Sequence, residues 1–314
     1  MIAGLHHIGL GVADLDNATA FFENVASFSV VSRYTLDADN PLQDVLNKGG
    51  IPIEVALIAG PNGYIQCTAT GSVTDRKGDT VPPINTSGIR HFCLQNRDCD
   101  MLADGVRDAS GSLIADPLDL GTGNQYAYAR DSEGNIIEIE GLPFAPVEQS
   151  TWIGHIAFVT PKLDRLINFY RKILGTDLQG RSMVGPGPQS DKMGGLRDTQ
   201  LEGAWLPTDN MLLEFWQFHS PLSPSKHRCT TMLDLGYTHI CLETDDLDHD
   251  FEQMIEAGAT AISEPVETCN ARVQFARDPD GNIIQLLEPQ ESFSQTIKYL
   301  DDIGICSRTD ALRQ

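Results

Sequence analysis

The sequence predicts an α+β protein of four βαβββ modules paired into two domains. Two observations carry this reading. The chain repeats itself at an offset of 148 residues: His7 falls on His155, Glu54 on Glu202, Gln66 on Glu214 and His91 on His239. After one deletion, Asp131-Ser-Glu-Gly-Asn-Ile-Ile-Glu138 falls on Asp278-Pro-Asp-Gly-Asn-Ile-Ile-Gln285. Within each half, an alternating stretch, an amphipathic stretch and further alternating stretches occur in that order twice. A repeat of ordinary domain size predicts a first domain at 1–141 and a second at 151–290. Segment 142–150, rich in proline and without periodicity, reads as a linker. Residues 291–314 form a tail.

The elements follow in chain order. Leu5–Val12 alternates like a strand, and Asp14 can cap a helix whose apolar stripe is Leu15, Ala18, Phe21, Phe22 and Val25. Strands are expected around Val30–Tyr34, Ile51–Ile58 and Tyr64–Thr70. Module two opens at Ile89–Leu94, with a helix over Asp98–Ser110 and strands at Gln125–Ala129 and Asn135–Ile139. Module three opens at Ile153–Val159, and its helix over Leu163–Leu174 is closed by Gly175. Module four runs from Tyr237–Leu242 to Ile283–Leu287. The stretch Met183–Leu196, rich in glycine and proline, reads as a long loop bordering a site. Ile297, Leu300 and Ile303 suggest a short docked helix in the tail.

With 314 residues the chain can bury a sizeable core. Its net charge of −22 argues against nucleic acid and anionic membrane surfaces as partners. No apolar run reaches membrane-spanning length, and the N-terminal residues lack a signal-peptide pattern. The seven cysteines are dispersed, without CxxC, and read as reduced thiols of a cytoplasmic protein. Metal ligands are therefore sought among His and oxygen donors.

Strand alternation places His7 on one face with Gly9 and Gly11, opposite Ile8 and Leu10. His91 shares a face with Cys93; His155 and His239 repeat the pattern. His6 is expected to turn away from His7. One such histidine is ordinarily a core residue, but four in register, with Gln66 matched to Glu214 and Glu138 to Gln285, suggest one divalent-metal site per half. Imidazole, carboxylate and amide donors suit Fe, Mn, Co, Zn or Ni without choosing among them.

The βαβββ order, the opening H-I-x-x-x-V with a following D-L, and the D-x-x-G-N-I-I-E/Q turn resemble the vicinal oxygen chelate superfamily. That superfamily includes glyoxalase I, methylmalonyl-CoA epimerase, type I extradiol dioxygenases and drug-resistance proteins. The resemblance spans nearly all of 1–290. It implies two metal sets, one of His7, Gln66, His91 and Glu138 and one of His155, Glu214, His239 and Gln285. It also implies a small-molecule substrate and is compatible with a homodimer. The first set is similar to that of the epimerases, in which Glu54 would stand at the catalytic base; Glu202 repeats that position, and Glu138 lies near enough to share the role. Leu120-Gly-Thr-Gly-Asn-Gln125 looks like the epimerase glycine-rich loop. The chemistry so implied is proton transfer next to a chelated carbonyl, of isomerase or lyase type. A second reading is an Fe(II) ring-cleaving dioxygenase, for which Tyr128 stands at the family's tyrosine position although the accompanying histidine is missing. A third is a non-catalytic drug-binding protein whose cleft Trp205, Trp216 and Phe218 would line.

Overall fold

In the computed structural model, described at residues 1–46, 51–70, 82–143, 145, 150–224 and 231–302, the four modules are present. Module one comprises β1 (Ile2–Gly11), α1 (Leu15–Ala26), β2 (Ser29–Leu36), the short α2 (Leu42–Leu46), β3 (Ile53–Ala59) and β4 (Tyr64–Ala69). Module two comprises β5 (Gly88–Asn96), α3 (Cys99–Asp108), β6 (Ser112–Leu113), β7 (Leu118–Asp119), β8 (Gln125–Arg130) and β9 (Ile136–Gly141). Module three comprises β10 (Trp152–Val159), α4 (Leu163–Leu174), β11 (Gly180–Val184), α5 (Pro188–Gly194), β12 (Gln200–Pro207) and β13 (Leu212–Ser220). Module four comprises β14 (Gly236–Thr244), α6 (Leu247–Ala257), β15 (Thr260–Ala261), β16 (Val266–Glu267), β17 (Ala271–Arg277) and β18 (Ile283–Pro289), followed by α7 (Ile297–Asp302).

Local chemistry accounts for these elements. Asp14 accepts a hydrogen bond from the Asn17 amide at 2.9 Å to cap α1, and Asp98 and Asp246 cap α3 and α6 in the same way. α4 ends at Gly175 in the left-handed region, φ +65°. The repeated turn before each module's last strand is closed by its aspartate. Asp131 accepts from the Glu133 and Asn135 amides and from the Asn135 side chain, and Asp278 does the same with Asp280 and Asn282.

The modules pair differently from the expected grouping. One nine-stranded sheet has the order β15-β17-β18-β14-β1-β4-β3-β2, with β16 on β17, and so joins module four to module one. The other has the order β11-β12-β13-β10-β5-β9-β8-β6, with β7 on β8, and joins module three to module two. The junctions are the antiparallel pairs β1–β14 and β5–β10. Within every module the first and last strands run parallel. The 148-residue repeat shows which modules are equivalent, but equivalent modules can be combined in more than one way.

The helix-facing sides of both sheets contribute to one buried cluster, including Leu10 and Ile240 from one sheet, Phe92 and Phe158 from the other, and Phe22 and Leu166 from the helices. Asn62 and Asn210, 148 residues apart, tie the sheets together. Asn62 donates to the carbonyls of Ile153 and Asn210, and Asn210 donates to those of Leu5 and Asn62, at 2.7–2.8 Å. The opposite faces of the sheets form two separate clefts. In the tail, Ile297 and Leu300 of α7 pack on Leu57 and Tyr64; Ile303 lies outside the described residues. The stretch expected as a long loop contains α5 and borders one cleft. No helix among the described residues is long and apolar enough to cross a membrane.

Candidate metal centre and its amide counterpart

Sheet register brings together His91, Glu138, His155 and Glu214, all buried. Cys93 of β5 pairs with both Glu138 of β9 and His155 of β10. Ala157 of β10 pairs with both His91 of β5 and Glu214 of β13. The small residues Cys93 and Ala157 sit between the long ones in each row, so four side chains converge on one point. His155 Nε2 lies 2.9 Å from Glu138 Oε2 and 3.2 Å from Glu214 Oε2. His91 Nε2 lies 3.4 and 3.5 Å from the same two oxygens.

These contacts are close without the alignment of hydrogen bonds. His91 Nε2, His155 Nε2 and Glu214 Oε2 are buried with no hydrogen-bond partner. Buried polar atoms left this way call for an explanation. Four donors within 4.8 Å of one another, two imidazole and two carboxylate, fit a divalent ion. Glu214 is oriented from behind, its Oε1 accepting from Trp205 Nε1 at 2.8 Å.

The electrostatics agree with a site of strongly coupled charges. Burial pushes the Glu138 carboxyl up, but His155 and His91 outweigh it and hold it below the usual carboxylate range. Glu214 is lowered too, its burial outweighed by the charge and contacts of His155 and by those of His91. Burial lowers His155, and the two carboxylates more than reverse this, leaving it well above its ordinary value. Burial, reinforced by Glu138 and Glu214, keeps the Tyr128 phenol protonated.

The other cleft holds the remaining four predicted ligands in the same arrangement. Cys241 of β14 pairs with Gln285 of β18 and His7 of β1, while Gly9 of β1 pairs with His239 of β14 and Gln66 of β4. A Cβ at Gly9 would lie 2.1 Å from His239 Nδ1, so only glycine leaves room for that ring. The expected sets, each with one carboxylate and one amide, are therefore corrected. His7 and Gln66 are not brought to His91 and Glu138, nor His155 and Glu214 to His239 and Gln285. Both carboxylates lie in one cleft and both amides in the other.

Here the imidazoles bond to one another. His6 Nε2 donates to the Gln295 carbonyl at 2.6 Å, and its Nδ1 lies 2.8 Å from His7 Nδ1. His7 Nε2 lies 3.1 Å from His239 Nε2, and His239 Nδ1 lies 2.9 Å from Thr238 Oγ1. The carbonyl fixes the tautomers: His7 donates to His6, His239 donates to His7, and Thr238 donates to His239. Burial holds His6 down to about 4 and His239 down to about 3; it also lowers His7, as do the neighbouring His6 and His239. His6, expected to turn away, joins this chain because a register irregularity between Leu5 and His7 breaks strict alternation.

Glu54 and Glu202 stand outside both clefts. Ile53 and Val55 line the cleft of their sheet, so alternation turns Glu54 to the other side, where it is exposed. Leu201 lines the other cleft; Glu202 faces away and pairs with Arg181 Nε at 2.6 Å. The catalytic assignment of these two glutamates is corrected accordingly, whereas Glu138 lies in the centre. Sequence reasoning missed Glu140, which shares the face of Glu138. It accepts from Gln95 at 2.5 Å and Asn124 at 3.2 Å, and burial, then the Glu138 charge, pushes it up to about 7. Its signal is the alternation Ile137-Glu-Ile-Glu140.

The carboxylate centre opens into a cavity of about 490 Å³ walled by Tyr126, Tyr128, Trp205, Trp216 and Phe218 and bordered by the 183–196 stretch. Leu120 and Thr122 of the glycine-rich loop also line it, the loop being held by Asp119, which accepts from the Gly121 and Thr122 amides.

Comparison with known proteins agrees with this architecture. The chain is 25% identical over 204 residues to the anthracycline biosynthesis protein DauV of Streptomyces sp. (strain C5), a match spanning 62% of this chain and 64% of that relative's length. Its fold is similar to that of glyoxalase I from Zea mays, with a TM-score of 0.66, 19% identity and coverage of 90% and 92% of the two chains. It is also similar to that of a Bacillus subtilis protein provisionally assigned as a dioxygenase, with a TM-score of 0.63, 13% identity and coverage of 95% and 90%. The profile of the Glyoxalase/Bleomycin resistance protein/Dioxygenase superfamily matches residues 4–139 and again 152–286, and the chain belongs to that superfamily.

Proposed function

We propose that the chain is a divalent-metal-dependent enzyme of isomerase or lyase type that moves a proton next to a carbonyl of a small oxygen-bearing substrate. The observation that carries this reading is the convergence of His91, Glu138, His155 and Glu214, with His91 Nε2, His155 Nε2 and Glu214 Oε2 unpartnered. His91, His155, Glu138 and Glu214 would hold the ion, which when bound supplies Lewis acidity to neighbouring substrate oxygens. The two carboxylates differ in freedom. Both line the cavity, but Trp205 anchors Glu214 whereas Glu138 is fixed by no comparable donor, so Glu138 is the carboxylate assigned to accept and return the proton. The aromatic walls exclude water and hold an apolar substrate body. Among the described residues lining this cavity none is Lys or Arg, which suits an uncharged substrate better than a phosphorylated one.

Ring cleavage is the second reading, favoured by one observation: the Tyr128 hydroxyl is buried at the centre without a partner, and its ring lies 5.1 Å from that of His91. Against it, the centre has two carboxylates rather than one, and no further histidine lines the cavity among the described residues. Metal-loaded protein incubated in D₂O with 2-oxo and 2-hydroxy carbonyl compounds separates the two. Deuterium entering the α-carbon without oxygen uptake is expected, falling roughly 10²–10⁴-fold in Glu138→Gln. Oxygen uptake with catechols, yielding a yellow ring-fission product, would establish the second reading instead.

A further inference from the structure

We infer that the amide cleft is a second, metal-independent binding site for an uncharged, ring-bearing molecule that presents a carbonyl or hydroxyl group to Gln66. The cleft encloses about 660 Å³, a volume ordinary for a small-molecule site, and is the larger of the two clefts. Its donor set is that of the carboxylate centre with each glutamate replaced by glutamine, so it offers no carboxylate to a cation; the Cys241 thiol lies within 4.8 Å of ring nitrogens of His6 and His7, but those two rings are bonded to each other through Nδ1. The imidazoles cannot substitute for a carboxylate, because His7 Nε2 and His239 Nε2 face each other at 3.1 Å and their Nδ1 atoms are taken by His6 and Thr238. Gln285 lies close enough to His7 and His239 to favour their protonated forms.

Gln66 differs from these. Its amide lines the cavity and has no hydrogen-bond partner among the described residues, leaving one donor and one acceptor group for an occupant. Ile53, Val55, Leu57, Val273, Phe275 and Leu287 supply apolar walls. Among the described lining residues the single formal charge is Glu267, on an exposed strand end, so an anion meets no cation and a cation meets no buried carboxylate. The chemistry left is apolar contact with a flat or compact body plus one amide-directed hydrogen bond. The inference does not depend on the reaction at the carboxylate centre.

The probe pair is 2-naphthamide and 2-naphthoate, matched in size and differing in charge, titrated calorimetrically into the full chain in EDTA. Saturable binding of one 2-naphthamide per chain is expected, with 2-naphthoate at least about tenfold weaker. Gln66→Leu should weaken 2-naphthamide about tenfold by removing one hydrogen bond. Ser32→Trp, at a half-buried edge-strand position lining the cleft, should fill the space and abolish binding while leaving the core untouched. Glu138→Gln/Glu214→Gln should leave 2-naphthamide binding unchanged. Absence of saturable binding, equal affinity for 2-naphthoate, binding that appears only when a divalent ion replaces the EDTA, or dependence on Glu138 and Glu214 rather than on Ser32 and Gln66 would each overturn the inference.

Discussion

His155 Nε2 and Glu138 Oε2 lie 2.9 Å apart although the internal repeat places them in opposite halves of the chain. The centre is thus assembled across the β5–β10 junction, each half of the chain contributing one imidazole and one carboxylate. Its integrity depends on the pairing of modules two and three. His91→Ala is expected to release the bound divalent ion from the metal-loaded protein, with little change in far-UV circular dichroism. Metal content after dialysis checks this; full retention would remove His91 from the ligand set.

The same junction logic gives a gain-of-function expectation. Gln66→Glu combined with Gln285→Glu makes the amide cleft the equal of the carboxylate centre in donors. Metal content should rise from one ion per chain to two. An unchanged content would show that the His6–His7–His239 chain, rather than the missing charge, excludes the ion.

Gly9→Ala should destabilise the protein by about 1–3 kcal/mol, because the added Cβ meets the His239 ring at 2.1 Å. Chemical denaturation of the two proteins measures the difference. A neutral outcome would mean that the ring has space the structure does not display.

Asn210→Ala should cost roughly 2–4 kcal/mol. The Asn210 side chain satisfies the Leu5 amide and carbonyl and the Asn62 carbonyl, all in the interior between the sheets, and alanine leaves those groups unpaired. Urea unfolding should show a lowered midpoint with an unchanged slope.

Glu243 makes stability depend on pH. Burial pushes its carboxyl from 4.5 to about 7, against the pull of the Ile297 amide. The folded state therefore favours the protonated form. Stability linked to this group is present below pH 4.5 and is lost as pH rises through about 7. Glu243→Gln keeps an oxygen for the Ile297 amide and should be more stable than wild type by on the order of 1–3 kcal/mol at pH 8, with the difference vanishing near pH 4.5. An equal difference at both pH values in thermal melts would assign the effect to packing.

Much of this fold was legible in the chain. Alternation around His7, His91, His155 and His239 marks the four opening strands, and the cap at Asp14 and stop at Gly175 mark helix ends, because those signals are local. The eight candidate residues of the two clefts were legible because metal-type residues recur in register. Their grouping was not. Register matches His7 to His155 but is silent on whether His7 faces His91 or His239, since that choice rests on ladders between strands more than two hundred residues apart. Glu54 was misplaced for a related reason: equivalence to Glu202 shows a shared position, whereas the face is set by Ile53 and Val55 packing into the cleft. The contribution of Glu140 was hidden because its match in module four is Leu287, so the repeat carries no trace of it.

The central claim is that one cleft is built for a divalent ion and its twin is not. Anomalous scattering at the metal edge, from crystals of protein loaded with excess divalent ion, tests this directly. The account predicts a single peak per chain, surrounded by His91, Glu138, His155 and Glu214. A peak among His7, Gln66, His239 and Gln285, or none at the carboxylate centre, would contradict it.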